Sequence, residues 1–309
     1  MPELPKRQLG RTGLQVTTLG YGAMELRSGP GTGGGRREVT EEDAERILNA
    51  VLDSGINYID TSIDYGLSEE RIGKYISHRR SEYFLASKCG CIAEGTPVPD
   101  SASGGRGFTH IFTADNVIKG VNQSLRRLKT DHLDVVQFHA SPNRMQLEEH
   151  GGLEALQDLQ REGKVRFIGM SGTRPNLPEQ ISMGAFDVFQ IPYSALERQH
   201  ETLMHTASEA GAGIVIRGGA AKGGPGKEEG DWWSKWQEVK IDDLLEGMPR
   251  MEFILRFTYT NPDLSTTIVG TVNPEHLQDN IDALLQGPLP ADVYAEAKKR
   301  LALAGSAPA

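Results

Sequence analysis

Short β-branched runs alternate with amphipathic runs along the whole of this 309-residue chain. Strand-like runs fall at 16–20, 56–59, 83–87, 133–138, 165–169, 186–191, 213–217 and 266–269. Between them, apolar residues recur at helical spacing. Ala44, Ile47, Leu48, Val51 and Leu52 line one face of 41–54, behind Thr40 as N-cap. Val117, Val121, Leu125 and Leu128 line another, and Leu153, Leu156 and Leu159 a third, which Gly163 closes. A last helix is predicted over 275–285, with Pro274 at its start. Eight strand–helix repeats without a composition break predict an α/β fold of the parallel (β/α)8 TIM-barrel type, in a single domain over 1–309. The competing doubly wound open sheet would carry a Gly-rich dinucleotide signature after its first strand. That place holds LGYGAMEL, which lacks the third glycine and is not followed directly by a helix pattern.

Charge and cysteine usage narrow the function. A net charge of -9 argues against a nucleic-acid partner and against a basic membrane-seeking face. The opening MPELPKRQLGRTG has no apolar signal segment, and no stretch reads as a bilayer span, so no membrane association is expected. Two cysteines, Cys89 and Cys91, exclude a disulfide scaffold and predict a reducing, cytoplasmic setting. They read as ordinary thiols and not as a metal pair, because metal-site spacings are longer.

Three irregular stretches, 28–37, 90–113 and 218–250, all follow strands, the side on which barrel enzymes build their sites. The third contains DWWSKW, which reads as a helix with a buried face, an aromatic flap over substrate being the alternative.

The segment INYIDTSIDYG ends a core strand on a carboxylate, Asp60, and presents a phenol, Tyr65, just beyond. Lys88 follows the next strand in FLASK, and His139 ends the one after in DVVQFH. One carboxylate, one phenol, one ammonium and one imidazole therefore meet at one rim of the predicted barrel.

With these flanks the chain resembles the aldo-keto reductase family. The likeness includes LPKRQLGRTGLQVTTLGYGAM, DTSIDYG, DVVQFH, GKVRFIGMSG, FQIPYS and IVGTVNPEHLQDNIDAL. It implies a barrel that binds NADP(H), or NAD(H), and reduces a small-molecule aldehyde or ketone. By resemblance Tyr65 is the proton donor, Lys88 the cation that lowers its pKa, Asp60 the partner of Lys88, and His139 the residue that orients the carbonyl. The resemblance also implies cofactor contacts. Gly22 and Met24 follow strand one, Asp60 lies beside them, and Ser171 and Gln190 take the carboxamide. Gly218, Gly219 and Lys222 cradle the pyrophosphate, and Gly270, Thr271, His276, Asp279 and Asn280 hold the adenosine phosphate end. Three positions depart from the family pattern: Gly172 where Asn is common, Arg217 where many members stack an aromatic, and Gly270 with His276 where NADP users carry cations. The alternative reading is a nicotinamide-sensing regulatory subunit with little turnover.

Overall fold

The computed structural model describes residues 3–28, 38–97, 110–220 and 231–309. An antiparallel hairpin comes first, β1 (Lys6–Gln8) and β2 (Gln15–Thr17). Eight strands follow: β3 (Leu19–Gly22), β4 (Tyr58–Asp60), β5 (Phe84–Cys89), β6 (Leu133–Phe138), β7 (Val165–Ser171), β8 (Val188–Pro192), β9 (Gly213–Arg217) and β10 (Thr266–Val269). All pair in parallel and in chain order, and β10 closes on β3 to complete the predicted barrel. The predicted strand over 16–20 is in fact two. Residues 15–17 belong to the hairpin, and the barrel strand begins at Leu19. No Gly or Pro marks the junction, so the β-branched run reads as continuous. Lys88 lies inside β5, one residue before its end, and does not follow it.

The helices form where the apolar periodicity predicts them. Glu41–Asp53 is capped by Thr40, whose hydroxyl accepts from the Asp43 N–H at 3.0 Å. Ala114–Leu128, Gly152–Arg161 and Pro274–Leu285 carry the other apolar stripes. The segment around the tryptophans is a helix, Asp231–Glu238. Its Trp236 is fully buried and donates Nε1–H to Asp242 at 2.7 Å. No helix among the described residues is long and apolar enough to cross a membrane.

Strand periodicity builds the barrel interior in layers. Tyr58, Ala86, Val135, Val188 and Val215 form an apolar layer over Leu9, Leu14 and Val16 of the hairpin region, which plugs the lower end. Two residues further along the same strands stand Asp60, Lys88, Gln137, Gln190 and Arg217. A period of two puts each on the interior face, one step above its apolar neighbour. The polar layer is thus fixed by strand register, with Lys88 beside Gln137 and Ser171 beside Gln190.

One buried cation organises the rim. Arg71 is 2% exposed and donates to the carbonyls of Leu26, Ser28 and Val39 at 2.7, 2.8 and 2.7 Å, and to Glu41 Oε1 at 2.9 Å. It therefore holds the chain at Leu26 and Ser28 and again at Val39. Arg71→Met leaves these carbonyls without their donor, at about 1–3 kcal/mol each where water does not replace it. Urea unfolding of the variant is expected to show a loss of about 3 kcal/mol or more. A loss under about 1 kcal/mol would mean that solvent satisfies them and that Arg71 is no clamp.

Candidate active site

Asp60 is the hub of the polar layer. Its Oδ1 accepts from Lys88 Nζ at 2.6 Å, and its Oδ2 accepts from Gln137 Nε2 and Gln190 Nε2, both at 2.8 Å. Lys88 Nζ also donates to the Thr61 carbonyl at 2.7 Å. Both charges are about 2% exposed, so each depends on the other and on these amides for its polar contacts. The carboxylate beside Lys88 holds its pKa above the usual lysine value despite burial.

Tyr65 lies above this pair, with Lys88 Nζ 4.8 Å from its ring centroid. Burial pushes the phenol pKa up, the Lys88 ammonium pulls it down, and burial prevails. The net shift is thus opposite to the lowering expected from Lys88 alone.

His139 directly follows β6, and its N–H donates to the Cys89 carbonyl at 3.0 Å. The next two residues, Ala140 and Ser141, hold left-handed φ values of 61° and 54°, a strained pair for side chains with a Cβ. Hydrogen bonds hold that turn. Asn176 Nδ2 donates to the Ser141 carbonyl at 2.7 Å, Gln180 Nε2 to the Pro142 carbonyl at 2.7 Å, and the Thr173 N–H to Ser141 Oγ at 2.9 Å. The ring is 6.2 Å from Tyr65, edge to face. Burial and then the Lys88 charge lower the His139 pKa to about 3, so the imidazole is neutral near pH 7.

These groups open on a cavity of about 1480 Å³. Asp60, Tyr65, His139, Ser171, Gln190 and Arg217 form its deep end. Gly22 and Met24 line one side, and Gly218 another. Gly270, Thr271, His276, Asp279 and Asn280 line the far end. Trp233, Arg250 and Met251 complete a wall, so the tryptophan helix serves both core and cavity. Two expected residues do not reach the cavity wall. Lys88 stands behind Tyr65, and Gly219 is buried where a Cβ would meet Thr267 Oγ1 at 2.3 Å. Lys222 lies outside the described residues.

Gln190 proves to be doubly engaged, with Nε2 on Asp60 and Oε1 3.4 Å from Ser171 Oγ. Gln137 was missed by the sequence reading altogether. The available signal was a lone amide in the apolar strand DVVQF, whose interior position follows from its spacing to Val135. Cys91, His110 and Asp64 were also missed as neighbours of His139. Burial raises the thiol pKa of Cys89, and that of Cys91 to about 12, so neither is a reactive thiolate.

Two departures have packing reasons. A Cβ at Gly172 would meet Gln180 Oε1 at 2.7 Å and Leu177 Cδ1 at 2.8 Å. A Cβ at Gly270 would meet the Gly22 carbonyl oxygen at 2.6 Å.

Comparison with known proteins identifies the family and the fold. The Aldo/keto reductase family model matches residues 18–301. The chain is 28% identical over 297 residues to the uncharacterized oxidoreductase YqkF of Bacillus subtilis, covering 90% of each. It is 28% identical over 319 residues to the L-galactose dehydrogenase of Arabidopsis thaliana, covering 93% of this chain and 90% of that one. The holo form of the aldo-keto reductase AKR11C1 from Bacillus halodurans superposes with a TM-score of 0.82 at 28% identity, over 96% of each chain.

The lowered His139 pKa carries a stability cost in acid. The folded state keeps the ring neutral to about 3, whereas an unfolded histidine protonates near ~6.5. Between these values the unfolded chain binds more protons, so stability is full above ~6.5 and falls as pH drops toward 3. From pH 7.5 to pH 5 this group costs roughly 2 kcal/mol. Denaturant unfolding of parent and His139→Gln at both pH values is expected to show that difference only in the parent. Parallel acid losses in the two proteins would show that His139 titrates normally.

Proposed function

This chain belongs to the Aldo/keto reductase family and is an oxidoreductase, and on that premise we propose that it reduces an aldehyde or ketone to the alcohol, reversibly, with NADPH favoured modestly over NADH. The observation that carries the reading is the stack of Asp60, Lys88 and Tyr65 beside a neutral His139, at the deep end of one large cavity. At about 1480 Å³ that cavity exceeds the roughly 300–1,000 Å³ of ordinary ligand pockets, room for an extended dinucleotide and a small carbonyl compound together. A bound reduced nicotinamide supplies the hydride.

The chain's own residues do the rest. As charge grows on the carbonyl oxygen, Tyr65 delivers the proton. Burial keeps that proton on the phenol until the stronger base forms, and Lys88 then favours the phenolate left behind. Asp60 fixes Lys88, and two glutamine amides fix Asp60. His139, being neutral, donates one N–H to the substrate oxygen without competing as an acid. Ser171 and the Oε1 of Gln190 hold the carboxamide. Gly218 turns the chain at φ 72°, leaving backbone free of a Cβ near the pyrophosphate. Gly270, Thr271, His276, Asp279 and Asn280 take the adenosine phosphate, at the start of Pro274–Leu285. Arg217 lies beside the nicotinamide, where relatives use an aromatic face.

Tyr65→Phe is expected to cut turnover of an aldehyde panel by roughly two to four orders of magnitude, with cofactor affinity nearly unchanged. Near-parental rates in the variant would remove Tyr65 from the chemistry. A parent that binds cofactor tightly yet turns over no carbonyl compound would favour the sensing subunit instead.

His276 is the exposed side chain nearest in type to the missing cations. His276→Arg adds a permanent forked donor and is expected to raise the NADPH-to-NADH affinity ratio about tenfold or more. An unchanged ratio in cofactor titrations would show that this side chain does not face the 2′-phosphate.

A further inference from the structure

We infer that Asp64, Cys91, His110 and His139 form a binding site for a divalent transition-metal ion, with Zn2+ the ion their donor set matches. The inference stands on these four side chains and not on the proposed carbonyl reduction. One ligand atom from each lies within 4.8 Å of all the others. His139 Nδ1 is the centre of the group, 3.2 Å from Cys91 Sγ, 3.3 Å from His110 Nε2 and 3.5 Å from Asp64 Oδ2. Tetrahedral Zn2+ with metal–ligand bonds of about 2.0–2.3 Å sets its donors about 3.3–3.6 Å apart. The three contacts around His139 are already near that spacing, and the remaining pairs, all within 4.8 Å, need close by no more than about 1 Å.

The donor set is also right in kind and charge. Two imidazoles, one thiol and one carboxylate are the ligand types that Zn2+ takes. With the thiol proton released to solvent, Cys91 and Asp64 bring two negative charges to a doubly charged ion. Lys88 and Arg217 oppose it from nearby, but Lys88 is already paired with Asp60.

Backbone pairing holds the ligands in place. Cys91 and His110 face each other across an antiparallel bridge, reinforced by the Ile111 N–H on the Gly90 carbonyl at 2.7 Å. Asn116 Nδ2 donates to the carbonyls of Cys91 and Ile111 at 3.0 and 2.7 Å, tying the two segments together. Ser62 Oγ donates to Asp64 Oδ1 and sits 3.6 Å from Cys91 Sγ, the kind of outer support that orients metal ligands. Coordination through Nδ1 leaves the other ring nitrogen of His139 protonated and turned to the cavity, so metal and substrate share one imidazole.

The test uses the full chain, stripped with a chelator and titrated with Zn2+ or Co2+ alone. One equivalent is expected to bind. Co2+ should give a tetrahedral spectrum with a thiolate charge-transfer band, and Zn2+ X-ray absorption should show one sulfur among nitrogen and oxygen donors. Outer-shell changes already cost about 10–100-fold in metal affinity, so Cys91→Ala and His110→Gln should each cost at least about 100-fold. Cys89→Ala should cost nothing. Circular dichroism checks that each variant folds, and if Cys91→Ala does not, the absorption spectrum of the parent decides. A parent that binds no Zn2+, a first shell without sulfur, or equal affinity in parent and folded Cys91→Ala would overturn the site.

Discussion

A buried ion pair sets the terms for everything above it. Asp60 and Lys88 stand inside the barrel, where an isolated charge would cost several kcal/mol. They persist because each oxygen of Asp60 has its own donors, Lys88 on one and two glutamine amides on the other. The four side chains come from β4, β5, β6 and β8, so the carboxylate also ties half the strands of the barrel together. The apolar layer just below shows that hydrophobic side chains fill this interior without difficulty. Replacing a buried ion pair by well-packed apolar side chains is often neutral or stabilising, so packing alone does not account for the polar layer. The phenol of Tyr65 takes part of its electrostatic setting from that layer.

Much of this was legible in the chain. Each barrel strand is a short apolar run bounded by polar residues, and each main helix repeats its apolar positions at 3–4-residue intervals, so alternation alone gave the architecture. Asp60, Tyr65, Lys88 and His139 were legible because each stands at or near the upper end of a strand, where polarity begins. The junction at Thr18 was not, because a change of partner strand leaves no mark in a β-branched run. Gln137 and Gln190 were within reach. Both stand two residues after a buried valine, and a period of two assigns them the same face. Their use on Asp60 was out of reach, since it depends on side chains 77 and 130 residues away. The gathering of Asp64, Cys91 and His110 around His139 was hidden for the same reason. It joins a turn, a strand end and a distant loop residue that only the folded chain brings side by side.

The departures from the family pattern also differ in kind. At Gly172 and Gly270 the neighbouring atoms crowd the place a Cβ would take, so the missing side chains are matched by close packing. Arg217 is a true replacement, a half-buried cation whose pKa is lowered by burial and supported by Glu197. It adds positive charge near a site that already contains Lys88. This strand position thus brings a charge to the cavity wall where the resemblance implies an aromatic face.

The grip of Arg71 on the carbonyls of Ser28 and Val39 bears on how this protein can diversify. With Ser28 and Val39 fastened to one guanidinium, the rim on both sides of the intervening sequence is positioned by Arg71. Lengthening such a loop costs little, about 0.6 kcal/mol for each doubling. Because both anchors meet on one side chain, the number of residues between Ser28 and Val39 is uncoupled from the placement of strand β3. The two anchors thus divide the work along the chain: the flanks at Ser28 and Val39 fix the rim, and the length of sequence between them is what evolution is free to change.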